Sequence, residues 1–449
     1  MIDRQRYLDE TRALLRLAVP ILTTQLGMML LGVVDTIMVG HYSDVALAAV
    51  ALGNIFSWGS MILGMGTLQA LDPLVAQAWG AGDRDAVSAS LQRALVLAVL
   101  MSLPYMLLFQ YAAPVLRALG QKEEVIAVAA PFVRALTPSV PAFFLFVAVR
   151  QTLQAMSVVR PILIAVVVAN VANVFGNLGL MYGRFRMPSL GVPGSAWSTT
   201  ICRWLMLAVM IALALPKLRD IWRAPDRRLR ALAPYGRMLA IGVPIGLQSG
   251  LEMWVFTAAG LLIGSMGALA LSSHQIALNL ASLSFMVPLG IGQAAATRVG
   301  NAIGRGDPDG ARLAAMVALA VGASVMVISA LLFFTAPLEL AHVYTDDARV
   351  GVAASELISI AALFQIFDGT QAVGCGILRG AADTRAAAVI NFVGYWILGL
   401  PIGWLLAFRF GLGPRGLWWG LTTGLAVVAL LLVARVVRRF QAPPPPVVS

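Results

Sequence analysis

Long apolar runs alternate with short polar breaks along the whole chain, and twelve runs have the length a bilayer demands of a helix, about 20 residues at 1.5 Å rise. They are predicted over 14–40, 46–77, 91–116, 125–151, 161–182 and 194–215, then over 238–262, 268–298, 311–338, 350–379, 386–408 and 416–434. Most charged residues fall at the ends of these runs. Three carboxylates do not: Asp35, Glu252 and Asp368 lie inside runs one, seven and ten. A charged side chain at mid-bilayer costs at least about 2.5 to 3.5 kcal/mol, so each is expected to face protein or a wet cavity and is a candidate for function.

The pattern occurs twice. LAVPI at Leu17–Ile21 returns as IGVPI at Ile241–Ile245, an offset of 224 residues. The same offset carries Gly40 to Gly264, Gly66 to Gly290, Gln69 to Gln293 and the loop GAGDRDA (Gly80–Ala86) to GRGDPDG (Gly304–Gly310). Further on, LQAMSVVRP (Leu153–Pro161) pairs with LRGAADTRA (Leu378–Ala386) at 225, and GVPGSAW (Gly191–Trp197) with GPRGLWW (Gly413–Trp419) at 222. A six-helix unit has been duplicated. The fold class is therefore an all-α polytopic membrane protein, with twelve transmembrane helices in two pseudo-symmetric six-helix bundles. Residues 1–216 and 238–434 are the expected bundles, 217–237 a basic cytoplasmic connector, and 435–449 a disordered cytoplasmic tail ending in a proline run.

Composition supports the membrane reading: 59% of the 449 residues are hydrophobic and 12% charged, with a mean hydropathy of +0.85. The net charge of +11 does not indicate a nucleic-acid partner, because its cations cluster at helix ends and in the connector (Lys217, Arg219, Arg223, Arg227, Arg228, Arg230, Arg237). The N-terminus and the loops after even-numbered helices are rich in arginine, including Arg84, Arg93, Arg150, Arg160, Arg305 and Arg385, whereas the opposite side has few. Both termini are thus expected to be cytoplasmic. With six helices per half, both halves start on the same side, so the repeats are parallel and a cavity between them is the expected substrate site. The first run is too long for a signal-peptide core, so it is expected to remain in the protein. Cys202 and Cys375 lie within apolar runs and are expected to be packing residues.

The acids have polar company. Gln248, Glu252 and Phe256 lie one turn apart in run seven. In run ten Gln365, Asp368, Gln371, Cys375 and Arg379 form one narrow stripe. The repeat duplicates none of the acids: Asp35 maps to Ala259, Glu252 to Met28 and Asp368 to Phe143. Asn170, Asn173 and Asn177 recur on one face of run five, His274 opens run eight, and Arg134 and Arg203 are candidate partners for the acids. Asp72, before Pro73, is expected to be a helix cap or a mouth residue. No nucleophile motif, metal cluster or phosphate loop is present, so an enzyme is not expected and no cofactor is implied.

GVVDTIMVGHYS (Gly32–Ser43), the two LAVPI-type openings, SSHQIALNLASLSFMVPLGIGQAAATRVGNAIG (Ser272–Gly304), VYTDD (Val343–Asp347) and ILRGAADTR (Ile377–Arg385) together resemble the multidrug and toxic compound extrusion (MATE) family, in its NorM-like bacterial branch. The resemblance implies a monomeric antiporter of the bacterial inner membrane, surrounded by lipid, which exports cationic or amphipathic small molecules in exchange for sodium or protons. It carries the family's acids onto Asp35, Glu252 and Asp368, with sodium or a proton at Glu252 and Asp368. Asp35, Asn173, Asn177, Gln248, Phe256, Phe364, Gln371 and His274 are the expected cavity residues. Relatives can carry a tyrosine where this chain has Phe364, which removes one oxygen ligand and leaves sodium and proton coupling both open. A lipid-linked sugar flippase or another parallel-repeat exporter is the alternative. A flippase cavity should be rich in cations to meet phosphate.

Overall fold

The computed structural model describes residues 4–224 and 231–441. Its helices are α1 (Arg4–Gly40), α2 (Asp44–Leu68), α3 (Leu71–Gly80), α4 (Arg84–Gln110), α5 (Ala112–Ala118), α6 (Glu123–Leu136), α7 (Ser139–Ala155), α8 (Arg160–Gly176) and α9 (Val192–Ile221). The second repeat supplies α10 (Leu232–Gly264), α11 (Ala268–Gly304), α12 (Pro308–Thr335), α13 (Pro337–His342), α14 (Ala348–Gly380), α15 (Thr384–Phe392), α16 (Leu400–Trp404) and α17 (Pro414–Arg439). Among the described residues eleven spans are long and apolar enough to cross a membrane, and the bent pair α6–α7 makes the twelfth. The twelve-helix architecture read from the sequence is the one observed.

The differences are local and have identifiable causes. Run four bends by 52° between α6 and α7, at Thr137–Pro138, where the ring removes a backbone donor and crowds the preceding residue. Run two is interrupted at Gln69–Ala70, and run nine ends in the short α13 after Ala336. Runs five and eleven contain π-helical turns, at Asn177–Met181, Val393–Gly399 and Leu405–Arg409. Such turns recur at functional sites because they re-aim side chains. Arg435, Arg438 and Arg439, expected in the tail, belong to α17 instead. Arg435 Nε donates to Asp383 Oδ2 at 2.7 Å, which ties that last turn to the preceding hairpin. Arg227, Arg228, Arg230 and the proline run lie outside the described residues.

The duplication is visible in the turns. Gly82 and Gly306 both have φ near +70°, as do the repeat-related pairs Gly191 and Gly413, and Ser157 and Ala382, near +60°. Asp83 and Asp307 cap the helices that follow, accepting from Ala86 N at 2.9 Å and Gly310 N at 2.8 Å. These caps satisfy amide donors that a helix start otherwise leaves bare.

Two compact units emerge: one of Thr23–Trp79 and Asp83–Gly246, the other of Met1–Leu22, Gly80–Gly82 and Leu247–Ser449. The division cuts α1 and α10 two residues past the repeat-related Pro20 and Pro244. The start of each leading helix therefore packs within the unit built mainly from the other repeat. In the first unit, Gly242 and Gly246 of α10 meet the backbone of Thr67 and Leu63. In the second, Leu22 meets Gly290 and Glu10 Oε1 accepts from Arg298 Nε at 2.8 Å.

Lipid gives helices no hydrophobic reason to associate, so close backbone packing must do it. In the second unit Gly416, Gly420 and Gly424 form a small-residue stripe along α17. A Cβ on Gly420 would stand 2.1 Å from Gly403 Cα, and one on Gly424 would stand 2.3 Å from Gly394 O. Backbone cannot yield as a side chain can, so Gly420→Ala is expected to destabilise the protein by about 1 to 3 kcal/mol. Gly236→Ala, whose Cβ would meet nothing within 4 Å, is expected to be neutral or slightly stabilising. Thermal unfolding of the two variants in detergent checks the contrast, and equal melting temperatures would refute it.

Candidate functional site

The sequence candidates fall into two clusters, one in each unit. In the first, α1 carries Asp35 into the interior, 4% exposed. Its two oxygens accept from Asn177 Nδ2 and from Thr199 Oγ1, each at 2.7 Å. Asn177 stands at the start of a π-turn, and its amide also reaches Asn173 Oδ1 at 3.4 Å. The predicted asparagine face thus meets Asp35 through Asn173 and Asn177, while Asn170 turns away and donates to Gly27 O at 2.8 Å. Thr199 was not foreseen, since its hydroxyl lies 164 positions from the carboxylate it serves.

Beside Asp35 is a cavity of about 310 Å³, lined among others by Met28, Trp58, Phe132, Phe143, Cys202 and Arg203. Trp58 meets Phe143 edge-on at 5.4 Å, and the Arg203 guanidinium lies over the same Phe143 ring at 4.9 Å. Arg203 Nη1 also donates to Ser139 Oγ at 2.8 Å, and its charge acts on Asp35. Arg203 thus reaches Asp35 by its charge alone, its direct contacts being Ser139 and Phe143. Arg134 has no such role: its Nε faces Gln110 O at 3.4 Å on the outer side of α6.

In the second unit, α10 supplies Glu252 and Gln248, and α14 supplies Asp368, Gln371 and Cys375. Gln371 Nε2 donates to Glu252 Oε2 at 3.3 Å and to Asn391 Oδ1 at 3.0 Å. Gln248 Nε2 donates to Cys375 Sγ at 3.0 Å, and Asn391 Nδ2 approaches the same sulfur at 3.5 Å. Cys375 is therefore an acceptor in a polar network as well as a packing residue. Asp368 is 5% exposed and feels the Glu252 charge directly. The predicted stripe on α14 divides, because Gln365 turns away to accept from Ser329 Oγ at 2.7 Å and from Ser284 Oγ.

An aromatic wall adjoins this network. Phe256 packs on Phe364 at 6.0 Å and on Tyr395 at 6.1 Å, and Phe364 packs on Trp418 at 5.6 Å. His274, fully buried, accepts from Trp418 Nε1 at 3.2 Å through Nδ1. Asn391 and Tyr395 were not singled out in the sequence; a polar residue followed at i+4 by a tyrosine in an apolar run was the available signal.

Repeat symmetry shows how the units diverged. The counterparts of Glu252, Asp368, Gln371 and Cys375 are Met28, Phe143, Phe146 and Arg150. Where the second unit has Cys375, the first has a fixed cation: Arg150 Nη1 lies 3.2 Å from Gln25 Oε1 and 3.3 Å from Met28 Sδ, with its guanidinium over Phe146 at 5.9 Å. Arg150 was counted among the loop charges because it ends an apolar run, but α7 continues to Ala155 and the residue is 4% exposed. Its charge acts on Asp72. Asp72, expected as a cap or mouth residue, is instead 1% exposed and accepts from Gln151 Nε2 at 2.9 Å.

The donor set limits the chemistry. Among the described residues no three His, Cys, Asp or Glu side chains gather as a metal site. Two carboxylates with neutral oxygens around them suit a proton or a hard monovalent cation. Comparison with known proteins agrees with a transport fold. A family model described as MatE matches residues 20–178 and 244–405, one segment per repeat. A multidrug resistance protein NorM of Burkholderia vietnamiensis is 39% identical over 427 residues, covering 94% of this chain and 92% of the relative. A multidrug resistance protein MdtK of Edwardsiella ictaluri is 34% identical over 440 residues, covering 96% of each. Among solved structures, the eukaryotic MATE transporter AtDTX14 superposes with a TM-score of 0.87 at 26% identity, covering 96% of both chains. The bent form of the Vibrio cholerae MATE transporter VcmN shares the fold, with a TM-score of 0.85 at 18% identity and 98% coverage of both. With its two repeats matched separately and its relatives aligned almost end to end, this chain belongs to the MATE family of multi-pass membrane transporters.

Proposed function

We propose that this protein exports cationic or amphipathic small molecules, multidrug compounds among them, in exchange for sodium or protons. The observation that carries the reading is the Glu252–Asp368 pair, Asp368 buried and Glu252 half-buried and held by the Gln371 amide, set in a unit separate from the Asp35 cluster. A negative site out of water binds a single positive charge strongly, because little solvent screens it. The coupling ion at Glu252 and Asp368 and a cationic substrate would compete for the protein's negative charge. Binding of the ion lowers substrate affinity, and alternating access carries the two in opposite directions. The aromatic cavity beside Asp35 suits the apolar body of an amphipathic compound, with cation–π contacts from Trp58 and Phe143. Asn173, Asn177, Gln248, Gln371, Phe256, Phe364 and His274 are proposed as supporting residues of the two clusters.

The bundles read from the sequence, 1–216 and 238–434, are proposed as the repeating bodies, joined by 217–237. The protein is proposed to act as a monomer in the bacterial inner membrane with both termini cytoplasmic. One observation favours the flippase alternative: Arg203 lines the Asp35 cavity, as a phosphate-binding site would require. Asp35 offsets that charge, and the cavity therefore lacks the cationic excess a lipid phosphate needs.

Efflux of a fluorescent organic cation from proteoliposomes, under a sodium or a proton gradient imposed separately, tests the reading. Transport driven by one gradient alone is expected and identifies the coupling ion. Dye movement that neither gradient accelerates would refute antiport.

A further inference from the structure

Tyr395 is fully buried, and its hydroxyl has no hydrogen-bond partner among the described residues. A buried polar group left unpaired costs about 1 to 3 kcal/mol, so an orphaned hydroxyl in a native structure calls for a ligand or partner. The location narrows what that ligand is. Tyr395 lies on the first π-turn of run eleven, one turn beyond Asn391, which bonds Gln371 and through it reaches Glu252. Trp396 Nε1 donates to Leu251 O at 3.0 Å, which pins the same π-turn to α10 next to Glu252. The Tyr395 ring packs on Phe256, one turn along α10 from Glu252. The carboxylates whose charge reaches the phenol are Glu252 and Asp368.

We propose that the Tyr395 hydroxyl is a neutral oxygen ligand of a monovalent cation held by Glu252 and Asp368. This deepens the reading above and rests on it. A hard cation such as sodium prefers oxygen donors, and one positive charge held by two carboxylates needs neutral oxygens to complete its shell. Gln371 Oε1 is a second such atom, also buried without a partner. An amide oxygen and a phenol oxygen without hydrogen-bond partners among the described residues thus stand in one acid cluster, as neutral oxygens a cation can use. Run eleven would thereby sense occupancy of a site whose acids lie on α10 and α14.

Sodium binding to the purified protein in detergent, followed by calorimetry, tests this with the wild type, Tyr395→Phe, Asp368→Asn and the double variant Tyr395→Phe/Phe364→Tyr. Tyr395→Phe removes one oxygen and keeps the ring packing, so it is expected to weaken sodium binding about tenfold. Asp368→Asn is expected to abolish it. Phe364 flanks Phe256 on the other side, and a hydroxyl added there is expected to recover part of the loss. Normal sodium affinity in Tyr395→Phe alongside loss in Asp368→Asn would overturn the proposal and leave the acid site standing. Unchanged affinity in Asp368→Asn would overturn the site itself. A wild type that binds no sodium would overturn the role of Tyr395 as a cation ligand, with coupling by protons then decided by the gradient experiment. Thermal unfolding of each variant separates lost ligands from lost fold.

Discussion

Asp368→Asn is expected to abolish gradient-driven export while the protein still folds and still binds its substrate. The substitution is nearly isosteric, and Asp368 is buried in electrostatic contact with Glu252. Removing one of two charges leaves a site that no longer needs a counter-ion to be stable, because the repulsion between the carboxylates is gone. Coupling is then lost at its source. One-for-one exchange of a monovalent ion for a monocationic dye moves no net charge, so the ion gradient alone drives it, and a tenfold ion gradient, worth about 1.4 kcal/mol, supports about tenfold accumulation. The variant's steady-state dye gradient should therefore fall from about tenfold to near unity under a tenfold ion gradient. Dye accumulation measured in proteoliposomes, together with equilibrium dye binding, checks this. A variant that still accumulates dye like the wild type would remove Asp368 from the mechanism.

The second large effect concerns stability. Arg150→Met is expected to destabilise the first unit by about 2 to 3 kcal/mol, because it removes a buried guanidinium that bonds Gln25, lies over Phe146 and acts by its charge on Asp72. Arg150 is 4% exposed and Asp72 1%, so little water screens the two charges from each other. Asp72→Asn keeps an oxygen for the Gln151 amide, which donates at 2.9 Å, and is expected to cost less, because Arg150 keeps Gln25 and the Phe146 ring. The double variant is expected to cost less than the sum of the single losses, since each charge acts on the other. At about 2 to 4 °C per kcal/mol for a chain of 150 residues or more, Arg150→Met should melt about 5 to 10 °C lower in detergent. Additive losses in the double variant would show that the two groups do not interact. Arg150 also sets a permanent cation at the counterpart of Cys375, against Met28, the counterpart of Glu252.

The degree to which each feature was readable follows from how local its cause is. The twelve spans were legible because a bilayer-length apolar run is a property of consecutive residues, and the duplication was legible because offsets of 222 to 225 persist through loops and helices. The bend at Thr137–Pro138 has a local cause as well, although it was not anticipated. The stripe Gly416, Gly420, Gly424 was equally available in the sequence, but its partner backbone at Gly394 and Gly403 was not. Arg150 shows the limit of reading charges by position. An arginine at the end of an apolar run resembles a loop residue until the helix is seen to continue past it and a carboxylate from another helix is seen near it.

By itself the sequence determined that this chain is a duplicated twelve-helix membrane protein, that Asp35, Glu252 and Asp368 lie within its apolar runs, and that neither repeat copies the other's acids. Hydropathy and periodicity act along the chain, so these conclusions need no third dimension. Tertiary structure decided which groups meet. It joined Asp35 to Asn177 and Thr199, joined Glu252 to Gln371 and through it to Asn391, brought Tyr395 alongside unpaired, and buried Arg150 with Asp72. Those partners lie on different helices, and the side that each helix turns toward its neighbours is set by close backbone packing and π-turns, which hydropathy does not encode.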